Sequence, residues 1–578
     1  MMNTLKIGVG CWLVACGVAL LPLQVQAWEP AANELDAALK AGDLTGYVAN
    51  LTTWLNRKVP GDPGQISGAA LQDLLKDPVF ANALGQRQFL AKLGPAETAA
   101  FVKAEPANLA FLAALLNNTP VMNLLLEAVG PTPIAAREQN DYRLPVTALT
   151  IWMKILAADP DAKDGIYQKL AIATAIRPPG SGNRGAGGQN DHPAEPVGRY
   201  LHFKTAHRNH ELFPSFDNLT VWEYQHVVSS CASDGDLAWG RAMVNTWRPD
   251  LRLKEQVVES TREVWRRNSP IEFAGSFKNV LTGGGKCGPR SSWAVFICQA
   301  FGIPAIGVGQ PAHACVAAKS AYPELQPQPG SIWKVHQGRG WEVSKLEGTN
   351  GPTFLEAVGE RAHLAEFSQI EHLRWLATAL TAKDAATAVR AVAVKLREAL
   401  PPAALAAASA PETDPNVEGV AKVTATAAAQ PPAVPEEPFK AVPGTIHLEA
   451  ETFANSFAEA AFPSEQKGCV DVLDCFTGGK QLNLQKNMKT CWVDYQLEVP
   501  AAGTYALVAR VAVVNLDQLL DVGIGDTKLA TINIPNTNGG WTTTEPVAVN
   551  LAKGPQTLRI SAPMQRGVAI RWFELTAK

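Results

Sequence analysis

The chain has 578 residues, a formal net charge of -3 and a hydrophobic fraction of 47%. That length is too great for a single core, so several domains are expected. The charge is nearly balanced and no basic stripe alternates with aromatics, which argues against nucleic acid as a partner.

Residues 1–27 read as an export signal. Lys6 precedes an apolar run from Ile7 to Leu23, and Val25-Gln26-Ala27 supplies a small-x-small cleavage pattern before Trp28. The run is short for a membrane span and no second one follows, so no stable transmembrane anchor is expected. The mature chain is assigned to the secreted, periplasmic or cell-envelope space. Cys11 and Cys16 leave with the leader, so Cys231, Cys287, Cys298, Cys315, Cys469, Cys475 and Cys491 remain. An odd number of cysteines in an oxidising compartment leaves at least one thiol outside intramolecular bridges.

Residues 28–193 form a helical region that ends in a Gly-rich break. Leu71, Leu74 and Leu75, then Leu109, Phe111, Leu112, Leu115 and Leu116, recur at helical spacing between Pro, Gly and Asn breaks. Residues 194–360 begin with a mostly helical lead-in. It holds His202, His207 and His210, whose spacing does not put three side chains on one helical stripe. Residues 361–400 are helical again. Residues 401–443 are rich in Ala and Pro and nearly devoid of large apolar residues, which is a linker composition.

The chemistry concentrates in Gly283-Gly284-Gly285-Lys286-Cys287-Gly288-Pro289-Arg290. Pro289 suits the opening turn of a helix, and Trp293, Phe296, Ile297, Ala300 and Phe301 form its apolar stripe. Gly302 caps its end and Pro304 follows. Cys287 is therefore expected at the start of a short buried helix, where the dipole and the cations Lys286 and Arg290 favour negative charge. Ala305–Val308 reads as a strand, Gln310-Pro311 as a turn, and His313 as the entry to a second strand over Ala314–Ala318. An imidazole there can serve a thiol as base.

On Gly285-Lys286-Cys287, Gly302-Ile303-Pro304-Ala305 and His313-Ala314, the stretch from Ser276 to Ser344 resembles the transglutaminase-like superfamily of papain-type thiol folds. The resemblance implies an α+β core with Cys287 as nucleophile and His313 as base, and no cofactor at the thiol site. Family members carry Asp four residues after a Trp on the strand following the His. Here no Asp stands between Asp250 and Asp384, and that spacing from Trp333 reaches Gln337. Gln337 is the candidate third member, an amide that can orient an imidazole; Glu342 and Ser344 are alternatives. Without a carboxylate the imidazolium is less well stabilised.

Residues 444–578 change character. Short alternating runs at Ile446–Ala450, Trp492–Val499, Thr504–Val514, Leu519–Ile524, Leu529–Ile534, Val547–Leu551, Thr557–Ile560 and Val568–Leu575 are separated by Gly, Pro and Asn turns. That pattern predicts an all-β jelly-roll sandwich. With Leu448-Glu449-Ala450-Glu451, Trp492-Val493-Asp494-Tyr495, Gly539-Gly540-Trp541 and Trp572-Phe573-Glu574-Leu575, the domain resembles carbohydrate-binding jelly-roll modules. The resemblance implies carbohydrate as a partner and a structural calcium held by Glu449 and Glu451. Trp541, in a Gly-rich loop, is the candidate sugar-stacking residue, while Trp492 and Trp572 are read as core. Cys469, Cys475 and Cys491 can supply one disulfide.

The expected function is an exported thiol enzyme that hydrolyses or transfers an amide acyl group on a peptide or cell-wall substrate, held on glycan by its last domain. The alternative is an inactive transglutaminase-like scaffold acting as a glycan-binding surface.

Overall fold

The computed structural model describes residues 28–181, 194–253, 257–262, 264, 277–319, 333–346, 348–400, 444–458, 470–484, 490–514, 518–563 and 567–578. The expected export signal at 1–27, the expected linker at 401–443, Cys469 and most of the Gly-rich break lie outside these residues.

Ten helices open the described chain: α1 (Ala32–Ala41), α2 (Leu44–Lys58), α3 (Gly68–Lys76), α4 (Pro78–Leu93), α5 (Pro95–Ala104), α6 (Pro106–Leu116), α7 (Thr119–Ala128), α8 (Ile134–Gln139), α9 (Val146–Ala158) and α10 (Gly165–Ile176). Local chemistry sets many of these boundaries. Asp77 caps α4 by accepting from the Val79 and Phe80 amides, and proline occupies the first turn of α4, α5, α6 and α7. Then follow α11 (Pro196–Arg208), α12 (Val221–Val228), α13 (Asp234–Trp247), α14 (Pro249–Leu253), α15 (Phe277–Gly283) and α16 (Cys287–Ala300). Strands β1 (Ala305–Gln310), β2 (His313–Lys319) and β3 (Trp333–His336) form an antiparallel sheet in that order. Helices α17 (Gly351–Ala362), α18 (Leu364–Ala379) and α19 (Lys383–Glu398) close this part. Among the described residues no single helix is long and apolar enough to cross a membrane.

One continuous apolar core runs from Leu35 in α1 through Trp293 in α16 to Leu376 in α18. Helix α18 packs back on α2, α3 and α4, so the helices after the three-stranded sheet complete the helical region before it. A buried ionic knot fastens the closure: Arg137 of α8 donates to both carboxylate oxygens of Glu371 in α18, at 3.2 and 2.5 Å. A second cluster, formed by Trp222, Trp333, Phe354, Cys315 and Ala317, lines one face of the three-stranded sheet; Val316 and Ala318 join the main core with α16 on the other. Period-two alternation along β2 produces this division.

Two of the three histidines of the lead-in have separate partners. His202 lies against Arg241, with 3.2 Å between its Nε2 and Nη1, while His207 sits between the Tyr167 hydroxyl at 3.0 Å and the Asp217 carboxylate at 2.7 Å. Burial, reinforced by Arg241 and Arg199, lowers the His202 pKa to about 3; burial lowers that of His372 to about 4, against the pull of Glu371. Both lie below the ordinary value, so the unfolded chain takes up these protons first as pH falls. Stability from this source is complete above about 6.5 and declines toward 4. Buried Glu127, raised to about 7, works in the opposite sense over pH 7 to 4.5. Calorimetric scans between pH 7 and 4 are expected to show a smaller fall in Tm for His202→Gln than for the parent chain.

The last domain is a sandwich of two antiparallel sheets. Its strands are β4 (Thr445–Glu449), β5 (Asn455–Ala458), β6 (Val470–Asp474), β7 (Lys480–Leu484), β8 (Cys491–Val499), β9 (Gly503–Val513), β10 (Gln518–Ile524), β11 (Thr527–Ile534), β12 (Thr542–Thr543), β13 (Val547–Leu551), β14 (Gly554–Ala562) and β15 (Val568–Ala577). One sheet runs β11-β10-β14-β8-β5; the other runs β12-β9-β15-β7-β6, with β13 added on β9 and β4 on β15. Val493, Tyr495, Leu507, Val511, Ile560 and Phe573 fill the space between them. The second sheet rests its outer face on α13 and α14. Ala512, Val514 and Ala569 join the helical core there, and the Trp239 and Trp247 indoles donate to the carbonyls of Asn538 at 2.9 Å and Gly567 at 3.3 Å.

Candidate functional site

Cys287 is the first residue of α16 and is half-buried; the exposed Lys286 precedes it. No side chain caps this helix start. Trp293, Ala294, Ile297 and Cys298 anchor α16 in the core, and the Ser291 hydroxyl donates to the Cys315 carbonyl at 2.5 Å. That bond ties the first turns of the helix to β2. Helix α16 packs along β2, the strand that begins with His313. Burial, and then Cys287, push the Cys315 thiol up to about 12.

His313 pairs with Gln310 across a two-residue turn, Pro311-Ala312, in which Ala312 takes a left-handed φ of 55°. Its Nε2 donates to the main-chain carbonyl of Gln337 at 2.6 Å. A carbonyl can only accept, so this bond places the proton on Nε2 and leaves Nδ1 as the free lone pair of the neutral ring. The Gln337 carbonyl is aimed by backbone: Gln337 has φ 58°, and at Gly338 a Cβ would lie 2.6 Å from the Cys315 sulfur. Only glycine lets the chain close on Cys315 in this way. Gln310 holds the same turn, donating from Nε2 to the Gly340 carbonyl and accepting from the Arg339 amide, both at 2.9 Å.

The sequence reading gave the third role to the Gln337 side chain. The correction is that the main-chain carbonyl of Gln337 meets the imidazole. Ser344 donates instead to the Gly309 carbonyl at 3.1 Å, and Glu342 is exposed. Among the described residues no hydrogen bond joins Cys287 to His313. Ser291, Gln310 and Gly338 went unnoticed; the alternation of Gln337-Gly338-Arg339-Gly340 was the available signal for a tight turn.

In the sandwich, His447 bridges Glu574 through Nδ1 at 3.1 Å and Glu449 through Nε2 at 3.2 Å. Glu451 stands apart, with Oε2 buried and unpartnered beside Tyr495. Among the described residues no group of three His, Cys, Asp or Glu side chains could hold a metal. Cys475 is a free thiol 3.2 Å from the Thr477 hydroxyl.

Trp541 is half-buried and packs against the core that joins α13 to the outer faces of β9 and β15. The reading of Trp492 changes. Trp492 belongs to the outer face of the five-stranded sheet, because Cys491 and Val493 take the inner positions on either side. Its ring stacks on Phe457 at 5.8 Å and 22°, and the Arg559 guanidinium lies 3.8 Å from its centroid. Arg559 also forks onto Asp494 at 2.8 and 3.0 Å, and Phe457 is 48% exposed.

No family model matches the chain, and no curated protein is found similar to it. The C-terminal all-β region resembles family 6 carbohydrate-binding modules among solved structures. The C-terminal module of a Zobellia galactanivorans laminarinase has 25% identity over 23% of this chain and 98% of its own, with a TM-score of 0.19. A module of Cellvibrio mixtus lichenase 5A, solved with cellotriose, has 24% identity over 23% and 97%, also with a TM-score of 0.19. A β-1,3-glucan-binding module from Bacillus halodurans has 18% identity over 23% and 96%, with the same TM-score.

Proposed function

We propose that this chain is an exported thiol enzyme of transglutaminase-like type that opens an amide bond through Cys287, with its C-terminal sandwich holding it on glycan. The observation that carries the reading is the His313 hydrogen bond to the Gln337 carbonyl, which leaves Nδ1 free as a base on the strand beside the thiol helix. In this reading the Cys287 thiol gives its proton to Nδ1 as sulfur bonds to the substrate carbonyl carbon. The oxyanion sits at the uncapped start of α16, near backbone N–H groups. The imidazolium returns the proton to the departing amine, and water or a second amine releases the acyl group from sulfur. The glycan surface is the outer face at Trp492, Phe457 and Arg559, where aromatic faces and a charged hydrogen-bonding fork lie together, the combination that suits sugar rings and their hydroxyls.

Iodoacetamide labelling tests the thiol half. Cys287 in the folded chain is expected to label faster at pH 7 than a free cysteine model, with a rate that varies with pH; slow labelling without pH dependence would sink the enzyme reading. One observation favours the scaffold alternative: the group facing His313 Nε2 is a neutral carbonyl, a weaker support for an imidazolium than a carboxylate. In that case glycan binding persists in Cys287→Ala and no amide is cleaved.

A further inference from the structure

Arg361, in the last turn of α17, is 5% exposed, and its Nε and Nη2 are buried with no hydrogen-bond partner among the described residues. Its Nη1 donates to the Ala357 carbonyl at 3.1 Å. The guanidinium lies over the rings of Trp222, at 4.9 Å, and Phe367, at 5.1 Å. The buried carboxylates of this region serve other arginines. Glu371 accepts from Arg137 and Arg374, and Glu360 lies 2.8 Å from Arg374 Nη1. Further out, Glu138 pairs with Arg397 at 2.9 Å, and Glu127 accepts from the Ser368 hydroxyl at 2.6 Å. Burial, and then Arg137, lower the Arg361 pKa to about 9. A guanidinium nevertheless keeps its proton at pH 7. A buried cation with two unused donors opposes folding until a counter-charge meets it.

Nε and Nη2 form one edge of the guanidinium, whose parallel N–H bonds match the two oxygens of a carboxylate. The chain uses that edge on its own carboxylates three times. Arg137 forks onto Glu371, Arg248 onto Asp250 with both bonds at 2.8 Å, and Arg559 onto Asp494 at 2.8 and 3.0 Å. Arg361 offers the same edge, and no carboxylate among the described residues takes it. We propose that this edge is a binding site for a small monocarboxylate, whose two oxygens accept from Nε and Nη2 beside the Trp222 and Phe367 rings. Burial of both nitrogens limits the ligand to an acid the size of formate or acetate. The site uses no residue of the thiol site or of the sandwich, so its failure leaves the readings above untouched.

The full chain is scanned by calorimetry at pH 7 with acetate or formate replacing chloride at fixed ionic strength. Tm is expected to rise by about 2–4 °C at saturation with either acid. Arg361→Gln should abolish the rise. Arg361→Lys, which keeps the charge but lacks the fork, should abolish it too. Arg390→Gln, at an exposed position of α19, should keep it. A rise that persists in Arg361→Gln is binding elsewhere and overturns the site. If acetate and formate do no better than chloride in the parent chain, carboxylate recognition is refuted. Should both Arg361 variants fail to fold, the carbon resonance of carboxyl-labelled acetate in the parent chain decides. A signal that shifts or broadens and is restored by formate but not by chloride supports the site; an unperturbed signal overturns it.

Discussion

His313→Ala is expected to slow alkylation of Cys287 at pH 7 by ~10²-fold, the lower end of what a positioned general base contributes. Gln337→Ala is expected to leave the rate within about twofold. The contrast follows from which atoms meet. His313 Nε2 donates to the main-chain oxygen of Gln337, and that oxygen survives any change of side chain. The substitutions that should matter are those that move the carbonyl. Gln310→Ala removes both bonds to the Arg339–Gly340 turn. Gly338→Ala drives a Cβ to within 2.6 Å of the Cys315 sulfur. Both should reduce labelling without touching the thiol or the imidazole. If Gln337→Ala proves as damaging as His313→Ala, the side chain holds the role and the carbonyl bond is incidental. If His313→Ala leaves the rate unchanged, His313 does not serve Cys287, and the thiol stands without a base.

The helix of Cys287 was legible because every local signal agreed: Pro289 in its first turn, Trp293 and Ile297 on its buried face, and Gly302, with φ 76°, just beyond its end. The strand of His313 was legible from its apolar run. The partner of His313 was not, because a main-chain carbonyl has no letter of its own, and side-chain reasoning stops at Gln337. The eight strands expected in the sandwich all formed, since each is a short apolar or alternating run bounded by turn residues. Strand β7 escaped because Gln481 and Asn483 are polar on the face that the sandwich turns outward, yet both are buried by a helix more than two hundred residues earlier. Trp492 needed only a stricter use of period two, since Val493, Tyr495 and Leu497 already fill the inner face.

Breaking the Arg137–Glu371 pair should have the largest effect on stability. Both residues are almost completely buried, 2% and 1% exposed, and they join segments 234 residues apart in the chain. Arg137 also donates to the carbonyls of Val129 at 2.9 Å and Glu127 at 3.1 Å, while Arg374 donates to Glu371 at 2.6 Å and lies 2.8 Å from Glu360. Removing one member strands a charge in the core, so Arg137→Met or Glu371→Gln should each cost about 3–5 kcal/mol in urea unfolding at pH 7. The double variant Arg137→Met, Glu371→Met should cost less than the sum, because no charge of this pair is left alone. Burial raises the Glu371 pKa, but Arg137 and then Arg374 outweigh it and hold the carboxyl at about 2, below its ordinary 4.5. The folded carboxylate therefore adds stability above about pH 4.5 that is lost as pH falls through 2, where the folded chain must at last take the proton. Glu371→Gln, which has no proton to take, should show a shallower decline than the parent chain between pH 4.5 and 2.5. An equal decline in the two would assign the acid sensitivity to another carboxylate and leave the pair a neutral packing element.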